Sequence, residues 1–484
     1  MSFSILHLSD LHRDHDDELP NTWLIESLER DRNKYVNQGV PAPSLCLVTG
    51  DLIFGADPTA ATPAQEVARQ YGQAEEFLAR LADTFFAGDR ERIVLLPGNH
   101  DVDAAVAFAS MSRVDAPATA AEKRRLAAEY QYPHTSLRWS WTEMSFLRVT
   151  NEAAYERRFE AFAEFYQRFY LGQRMYPLDP SLQYHVFDFP DLRFCILVLN
   201  SCHENDLLRR AGAIHPDCLA QGTRELRRPH RTGWMTAAAW HHNLFGPPAS
   251  NDYMDASVLQ LLIDSGVSLA FHGHQHRQEC VDERFRLGPS GRKISVVSSG
   301  TLCSGVRHLA PGTPRSYNIV TIDPDALTAT VHLRQMLNLP PAMPLWGPGY
   351  IVATGTDHVE FPVCEPLAHR PERLDAALAL ERAEALIGAG QWEDAVRCLD
   401  AISKHPLARP LLFKALGELG DSPAIFSKLW PPKNAGEAVV VADVILQGGA
   451  REFATSFLNT PEVRDSNDAS VREVMRRVRE RFLR

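Results

Sequence analysis

Asp10 and His12 stand in the run Ser-Asp-Leu-His, so a carboxylate and an imidazole are separated by one residue. In an extended loop that spacing turns both side chains to one face, where both can reach one ion. Asp51 follows a glycine in Thr-Gly-Asp, and Asn99, His100 and Asp101 follow one in Pro-Gly-Asn-His-Asp. His241 and His242 come after Met-Thr-Ala-Ala-Ala-Trp, and His274 and His276 belong to His-Gly-His-Gln-His. Mixed carboxylate, imidazole and amide-oxygen donors suit two divalent transition-metal ions, manganese first and iron, zinc or cobalt next. Imidazole is a poor ligand for magnesium and calcium. Two such ions about 3.5–4 Å apart need a bridging carboxylate. Asp51 is the candidate, because Gly50 before it permits a sharp turn into the site.

The elements that must position these residues alternate between strand-like and helix-like segments. Phe3–Leu8, Ser44–Thr49 and Arg92–Pro97 are short apolar runs, each ending in a polar loop. Helical stretches with apolar residues at three- and four-residue steps separate them. Later strands are expected at 183–189, 193–199, 235–240, 267–272, 293–299 and 316–322. The donors thus gather at strand ends, where α/β sheets place ligand sites. The expected fold class is α/β: two facing mixed β-sheets flanked by helices, plus an α-helical C-terminal domain. The expected domains are a catalytic domain over 1–340, a linker over 341–370 and a helical domain over 371–484. A helical insertion or cap is expected at 102–180. Its aromatic stripe (Phe159, Phe162, Phe165, Tyr166, Phe169, Tyr170) reads as core packing. Pro/Gly-rich LNLPPAMPLWGPGY marks the linker, and AEALIGAGQWEDAVRCLDAI resembles one tetratricopeptide-type hairpin without an array. The basic end helix VREVMRRVRERFLR reads as having a solvated charged face.

Taken in order, D-x-H, G-D, G-N-H-D, H and G-H-x-H resemble the calcineurin-like metallophosphoesterase superfamily over roughly residues 3–335. SDLHRD, RQYGQAEEFL and WHHNLFGPP look like its larger bacterial members, which carry an added C-terminal region. The resemblance implies that Asp10, His12, Asp51 and His276 hold one metal, and Asp51, Asn99, His241 and His274 the other. It implies that His100 protonates the leaving oxygen. His241 is preferred over His242 because the matching position comes first in the superfamily's loops. GDLIFG and GNHD replace the G-D-x-V-D-R-G and G-N-H-E forms of the protein Ser/Thr phosphatases, which counts against that activity. The acid that orients the catalytic histidine in those enzymes falls at Phe54, so Asp101 is the candidate substitute. The cations would clamp the phosphate oxygens and lower the pKa of a bridging water, and a histidine would protonate the departing oxygen.

The chain has 484 residues and a formal net charge of −11, so any attraction for a polyanion must be local. Asn200 and His203 follow a strand near the site and are candidate substrate contacts. Arg209, Arg210, Arg224, Arg227, Arg228 and Arg231 lie between that strand and His241; from these Arg227 and Arg228 are taken as rim residues that grip a polyanion. His272 reads as a packing residue, and the run 13–17 as a solvated loop. The eight cysteines contain no C-x-x-C pair and read as reduced. Without a visible secretory signal or a run of about 20 apolar residues, a cytoplasmic protein with no membrane contact is expected. The leading reading is a phosphodiesterase acting on nucleotides or nucleic acid. The alternatives are a phosphomonoesterase, and a regulatory protein whose helical C-terminal domain binds a protein partner.

Overall fold

The computed structural model describes residues 2–14, 19–131, 135–246, 252–284, 292–305, 309, 312–340, 342–351, 354–366, 372–403, 405, 407–448 and 451–483. The chain divides into two compact units, Met1–His369 and Arg370–Arg484. Strands of the first unit are β1 (Phe3–Leu8), β2 (Pro43–Thr49), β3 (Ile93–Leu96), β4 (Met111–Arg113), β5 (Leu137–Ser140), β6 (Ser145–Val149), β7 (Tyr184–Phe189) and β8 (Phe194–Leu199). They continue with β9 (Met235–Ala239), β10 (Leu269–His272), β11 (Glu279–Arg284), β12 (Lys293–Ser298), β13 (Ser316–Asp323), β14 (Thr328–Met336), β15 (Trp346–Pro348) and β16 (His358–Pro362).

One sheet runs β15-β14-β13-β1-β2-β3, with β16 also on β14; the other runs β11-β12-β10-β9-β8-β7. Both are mixed. Strands β1, β2 and β3 are parallel, as are β8, β9, β10 and β12, while the remaining pairings in these sheets are antiparallel. Strands with both faces covered read as continuous apolar runs. Leu45, Cys46, Leu47 and Val48 of β2, and Ile93–Leu96 of β3, are fully buried. Each such side chain contributes about 1.5–3 kcal/mol. The facing sheets share one core, where Phe3 meets Phe194 at 5.1 Å and His7 meets Phe271 at 5.1 Å between ring centroids. Parallel pairing puts the C-terminal ends of β1, β2 and β3 on one edge of their sheet, and those of β8, β9 and β10 on one edge of theirs.

Three expectations need adjustment. The segment 102–180 is not simply helical, since β4, β5 and β6 form a three-stranded antiparallel sheet within it. LRWS and SFLRV pair as a hairpin across residues 141–144, and their aromatic and branched residues suit a pleated surface. The stretch 341–370 contributes β15 and β16 to the larger sheet. Trp346 is buried there and its indole N–H donates to Ser27 Oγ at 2.9 Å. Proline and glycine therefore mark edge strands here. Arg13 is buried, not solvated, and donates to the Leu19 carbonyl at 3.1 Å. Residues 15–17 of the same run lie outside the described residues. The aromatic stripe of helix Glu160–Phe169 packs into the core as expected: Phe165 stacks on Tyr71 at 5.0 Å and Tyr170 donates to the Ile93 carbonyl at 2.6 Å.

The second unit is helical throughout its described elements, from Glu372–Gly388 to Ala469–Phe482, around Leu399, Leu416, Val441, Ile445, Phe457 and Val478. Its last helix buries Val471, Val474 and Val478, while Arg476 pairs with Glu473 (2.6 Å) and Glu480 (2.7 Å) on the exposed face.

Candidate metal centre and active site

Loops leaving β1 and β2 run side by side. Asp10 N–H donates to the Gly50 carbonyl (3.1 Å), His12 N–H to that of Asp51 (2.9 Å) and Arg13 N–H to that of Leu52 (3.0 Å). Asp10, His12, Asp51, His274 and His276 all adopt positive φ, between 44° and 75°. A left-handed backbone costs a non-glycine residue about 1–3 kcal/mol and persists only where the surroundings enforce it. Close loop approach does so here. A Cβ on Gly50 would meet His241 Nδ1 at 2.6 Å, and one on Gly98 would collide with the backbone and carboxylate of Asp51.

The donors converge in two adjoining clusters. In the first, His276 Nε2 lies 3.3 Å from Asp10 Oδ1 and 3.1 Å from His12 Nε2, which is 3.7 Å from Asp51 Oδ2. In the second, His241 Nε2 lies 3.3 Å from Asp51 Oδ2, 3.0 Å from Asn99 Oδ1 and 3.2 Å from His274 Nδ1. Asp51 Oδ2 faces both clusters, while its Oδ1 accepts the His100 N–H at 2.8 Å. Donor–donor spacings of about 3.0–3.4 Å are what metal–ligand bonds near 2.1 Å produce. Asp10 Oδ1 is buried with no hydrogen-bond partner among the described residues, which is costly unless a cation faces it. The residues present thus fit a binuclear divalent-metal site.

Electrostatics agree with the geometry. Burial holds His12 and His274 down at about 3, keeping both imidazoles neutral and able to donate lone pairs. Burial also opposes ionisation of Asp51, but His241, His100 and His12 around it hold its carboxyl well below the usual range. Burial alone would lower His241; the Asp51 carboxylate outweighs it and raises the imidazole to about 9, so a cation bound there would displace its Nε2 proton. The ring is oriented by Nδ1–H donating to the Thr49 carbonyl at 2.7 Å, leaving Nε2 for the cluster.

His100 lies beside the first cluster, its ring 4.7 Å from that of His12. Its Nδ1–H donates to the Phe54 carbonyl at 2.6 Å, so Nε2 is the free end. Asp101 does not supply that bond. Its Oδ2 accepts from Gly98 N–H (2.8 Å) and Leu52 N–H (3.2 Å), and Oδ1 accepts from the Tyr71 hydroxyl (3.2 Å). Burial and the nearby Asp51 charge push its carboxyl up to about 7. Asp101 clamps the two loops together. His242 is held by Ser201 Oγ at Nδ1 (2.9 Å), its ring 4.7 Å from that of His274. His272 packs on Trp240, its pKa lowered by burial to about 4.

The expected substrate residues do not gather at the site. Asn200 is buried, and its side chain is taken by Gln183 Oε1 (2.6 Å) and Cys202 N–H (2.7 Å). His203 packs edge-on against His215 at 4.9 Å. Arg227 donates to the Thr223 carbonyl at 3.2 Å and Arg228 pairs with Glu225 at 2.7 Å, both just after helix Pro216–Leu226. That helix carries the chain back to the start of β9, a strand length from His241 at its other end. Arg209 and Arg210, earlier in the same segment, do line the site. They border a cleft of ≈ 750 Å³ together with Asn99, His100 and His274. Asp252 also lines it, 3.9 Å from His274 Nε2, a contact that no sequence pattern signals.

A model of the calcineurin-like phosphoesterase family matches residues 3–278. No curated protein matches the chain. Among solved structures, the anchor in the inner membrane complex of Plasmodium is 8% identical, covering 78% of this chain and 95% of that one, with a TM-score of 0.33. A predicted phosphoesterase from Streptococcus pneumoniae is 11% identical, covering 69% and 90%, with a TM-score of 0.23. The phosphopantetheinyl hydrolase of Mycobacterium tuberculosis is 13% identical, covering 62% and 89%, with a TM-score of 0.25.

Proposed function

This chain belongs to the calcineurin-like phosphoesterase family, and from that premise we propose that it hydrolyses phosphodiester bonds of nucleotides or nucleic acid. The observation that carries this reading is the ≈ 750 Å³ cleft, which Asn99, His100 and His274 line together with Phe54, Leu207 and Arg210. A diester needs room for a substituent on both sides of phosphorus, and a monoester does not.

Asp10, His12, Asp51 and His276 hold one cation in this reading, and Asp51, Asn99, His241 and His274 the other. The mixed donor set favours manganese, with iron, zinc or cobalt as substitutes. When bound, the cations supply Lewis-acid charge to the phosphate oxygens and acidify the attacking water. Asp51 Oδ2 is shared between the clusters, and Thr49 fixes the tautomer of His241. The Phe54 carbonyl holds His100 Nδ1–H, so a proton carried on Nε2 can pass to the leaving oxygen. Among the described residues no disulfide joins the cysteines, which supports a reducing, cytoplasmic location.

The test is hydrolysis by the full chain, loaded with manganese, of bis(p-nitrophenyl) phosphate, p-nitrophenyl phosphate and single-stranded DNA. Turnover of the diester and DNA above the monoester is expected. Hydrolysis of the monoester alone overturns the reading.

A further inference from the structure

The loop after β8, residues 201–214, forms one wall of the cleft through Asn205, Asp206, Leu207, Arg209 and Arg210. Its conformation is imposed from beneath. The Asp206 carboxylate is buried; Oδ1 accepts the N–H groups of Leu208 (2.8 Å) and Arg209 (2.9 Å), making a tight turn. Oδ2 accepts from Arg138 Nε (2.6 Å) and the Tyr155 hydroxyl (2.7 Å). Arg158, also fully buried, lies 3.8 Å over the Tyr155 ring and donates to the carbonyls of Asn205 (3.2 Å) and His203. Arg138, Tyr155 and Arg158 all come from the segment between β3 and β7. A buried carboxylate bonded to both an arginine and a tyrosine is expensive to build and defines one geometry.

What this support presents is unequal along the loop. Arg209 is spent on an ion pair with Glu204. Arg210 is exposed and has no ion-pair partner among the described residues, and Leu207 beside it is 51% exposed. Of the three acids that line the cleft, Asp206 is bonded to Arg138 and Tyr155, Asp57 accepts from Thr59 N–H (2.8 Å) and hydroxyl (2.7 Å), and Asp252 lies 3.9 Å from His274 Nε2. An unpaired guanidinium on the wall of a cleft in a chain of net charge −11 is a local anion site.

Resting on the diesterase reading above, we propose that Arg210 determines specificity by binding a second phosphate group of the substrate, with Leu207 against its apolar part. Asp206 and Arg138 are positioning residues for this contact. Guanidinium binds phosphate through two parallel N–H bonds, which makes the contact directional as well as attractive.

The test uses the manganese-loaded full chain and two esters, the p-nitrophenyl ester of thymidine 5′-phosphate and the same ester bearing a 3′-phosphate. The second phosphate should raise kcat/KM about tenfold. Arg210→Ala should bring that ratio close to one, and Arg210→Lys should keep part of it. Asp206→Ala should collapse the same ratio; a loss of stability that leaves the ratio intact overturns the positioning role. Calorimetry supplies a readout without turnover: the preference for thymidine 3′,5′-bisphosphate over thymidine 5′-phosphate should vanish in Arg210→Ala. If both esters are cleaved and the ratio is the same in Arg210→Ala, the Arg210 contact is overturned while the diesterase reading stands. If neither ester is cleaved but p-nitrophenyl phosphate is, the diesterase reading falls and this inference with it.

Discussion

Within Met1–His369, buried polar and charged side chains crowd one edge of the sandwich: Asp10, His12, Asp51, Asp101, Asn200, Asp206, His241 and His242 among others. Within Arg370–Arg484 the buried polar residues among those described are Glu437 and Thr460, and Glu437 is paired with Arg409 at 2.8 Å. Backbone strain divides the same way. All ten non-glycine residues with positive φ among those described belong to the first unit, and five of them carry the converging donors. The helical unit has an apolar core, and its described non-glycine residues keep negative φ. The sandwich departs from both where its loops meet, and strained, polar, buried positions of that kind are where function is found.

If this contrast is right, the largest effects on hydrolysis come from the strained edge. Asp51→Asn removes the charge shared by both clusters. Activity should fall by on the order of 10³-fold or more, and elemental analysis should show both ions depleted. Full metal content in this variant would contradict a shared ligand. His100→Ala should keep the metals while lowering kcat by about 10²–10⁴-fold, less for an ester with a very good leaving group. Equal losses for good and poor leaving groups would exclude the proton-donor role.

Gly98→Ala sharpens the comparison because it adds only a methyl group. The methyl would collide with Asp51, so metal affinity should fall about 10–100-fold, as it does when a ligand's support is disturbed. Binding titrations with manganese would measure this. A methyl tolerated without change would show that the loops are looser than their geometry implies. In the helical unit a far larger deletion should matter less for chemistry. Leu416→Ala should destabilise that unit by about 2–5 kcal/mol, visible in its melting transition, with hydrolysis of a small diester unaltered. The smallest effect is expected from ending the chain before Arg370. Because each unit has its own core, hydrolysis of bis(p-nitrophenyl) phosphate should stay within about twofold. A truncated protein that is folded and metal-loaded yet inert would place part of the catalytic machinery in the helices.

Much of the first unit was legible because it is locally encoded. Apolar runs ending in Ser-Asp-Leu-His, Thr-Gly-Asp and Gly-Asn-His-Asp name both the strands and the donors that follow them. In the second unit the last helix follows from periodicity, with Val471, Val474 and Val478 on its buried face. The sheet at β4, β5 and β6 was missed because its strands are short and embedded among helices. β15 and β16 were missed because edge strands tolerate the proline and glycine that usually end a domain.

The types of donor, their order and their attachment to strand ends are written in the chain. Their surroundings come from packing between distant segments. A histidine held by the Phe54 or Thr49 carbonyl leaves no trace in sequence, since every residue has a carbonyl. Asp101 stands next to His100 in the chain, yet its carboxylate faces Tyr71 and the Gly98 and Leu52 amides. Among the arginines of 209–231, helix Pro216–Leu226 decides which can reach the cleft. It returns the chain to the far end of β9, so Arg209 and Arg210 before it border the site while Arg227 and Arg228 after it pair and pack a strand length away. Spacing along a chain limits how far residues can be apart; only the path of the connecting element sets which end of the sheet they occupy.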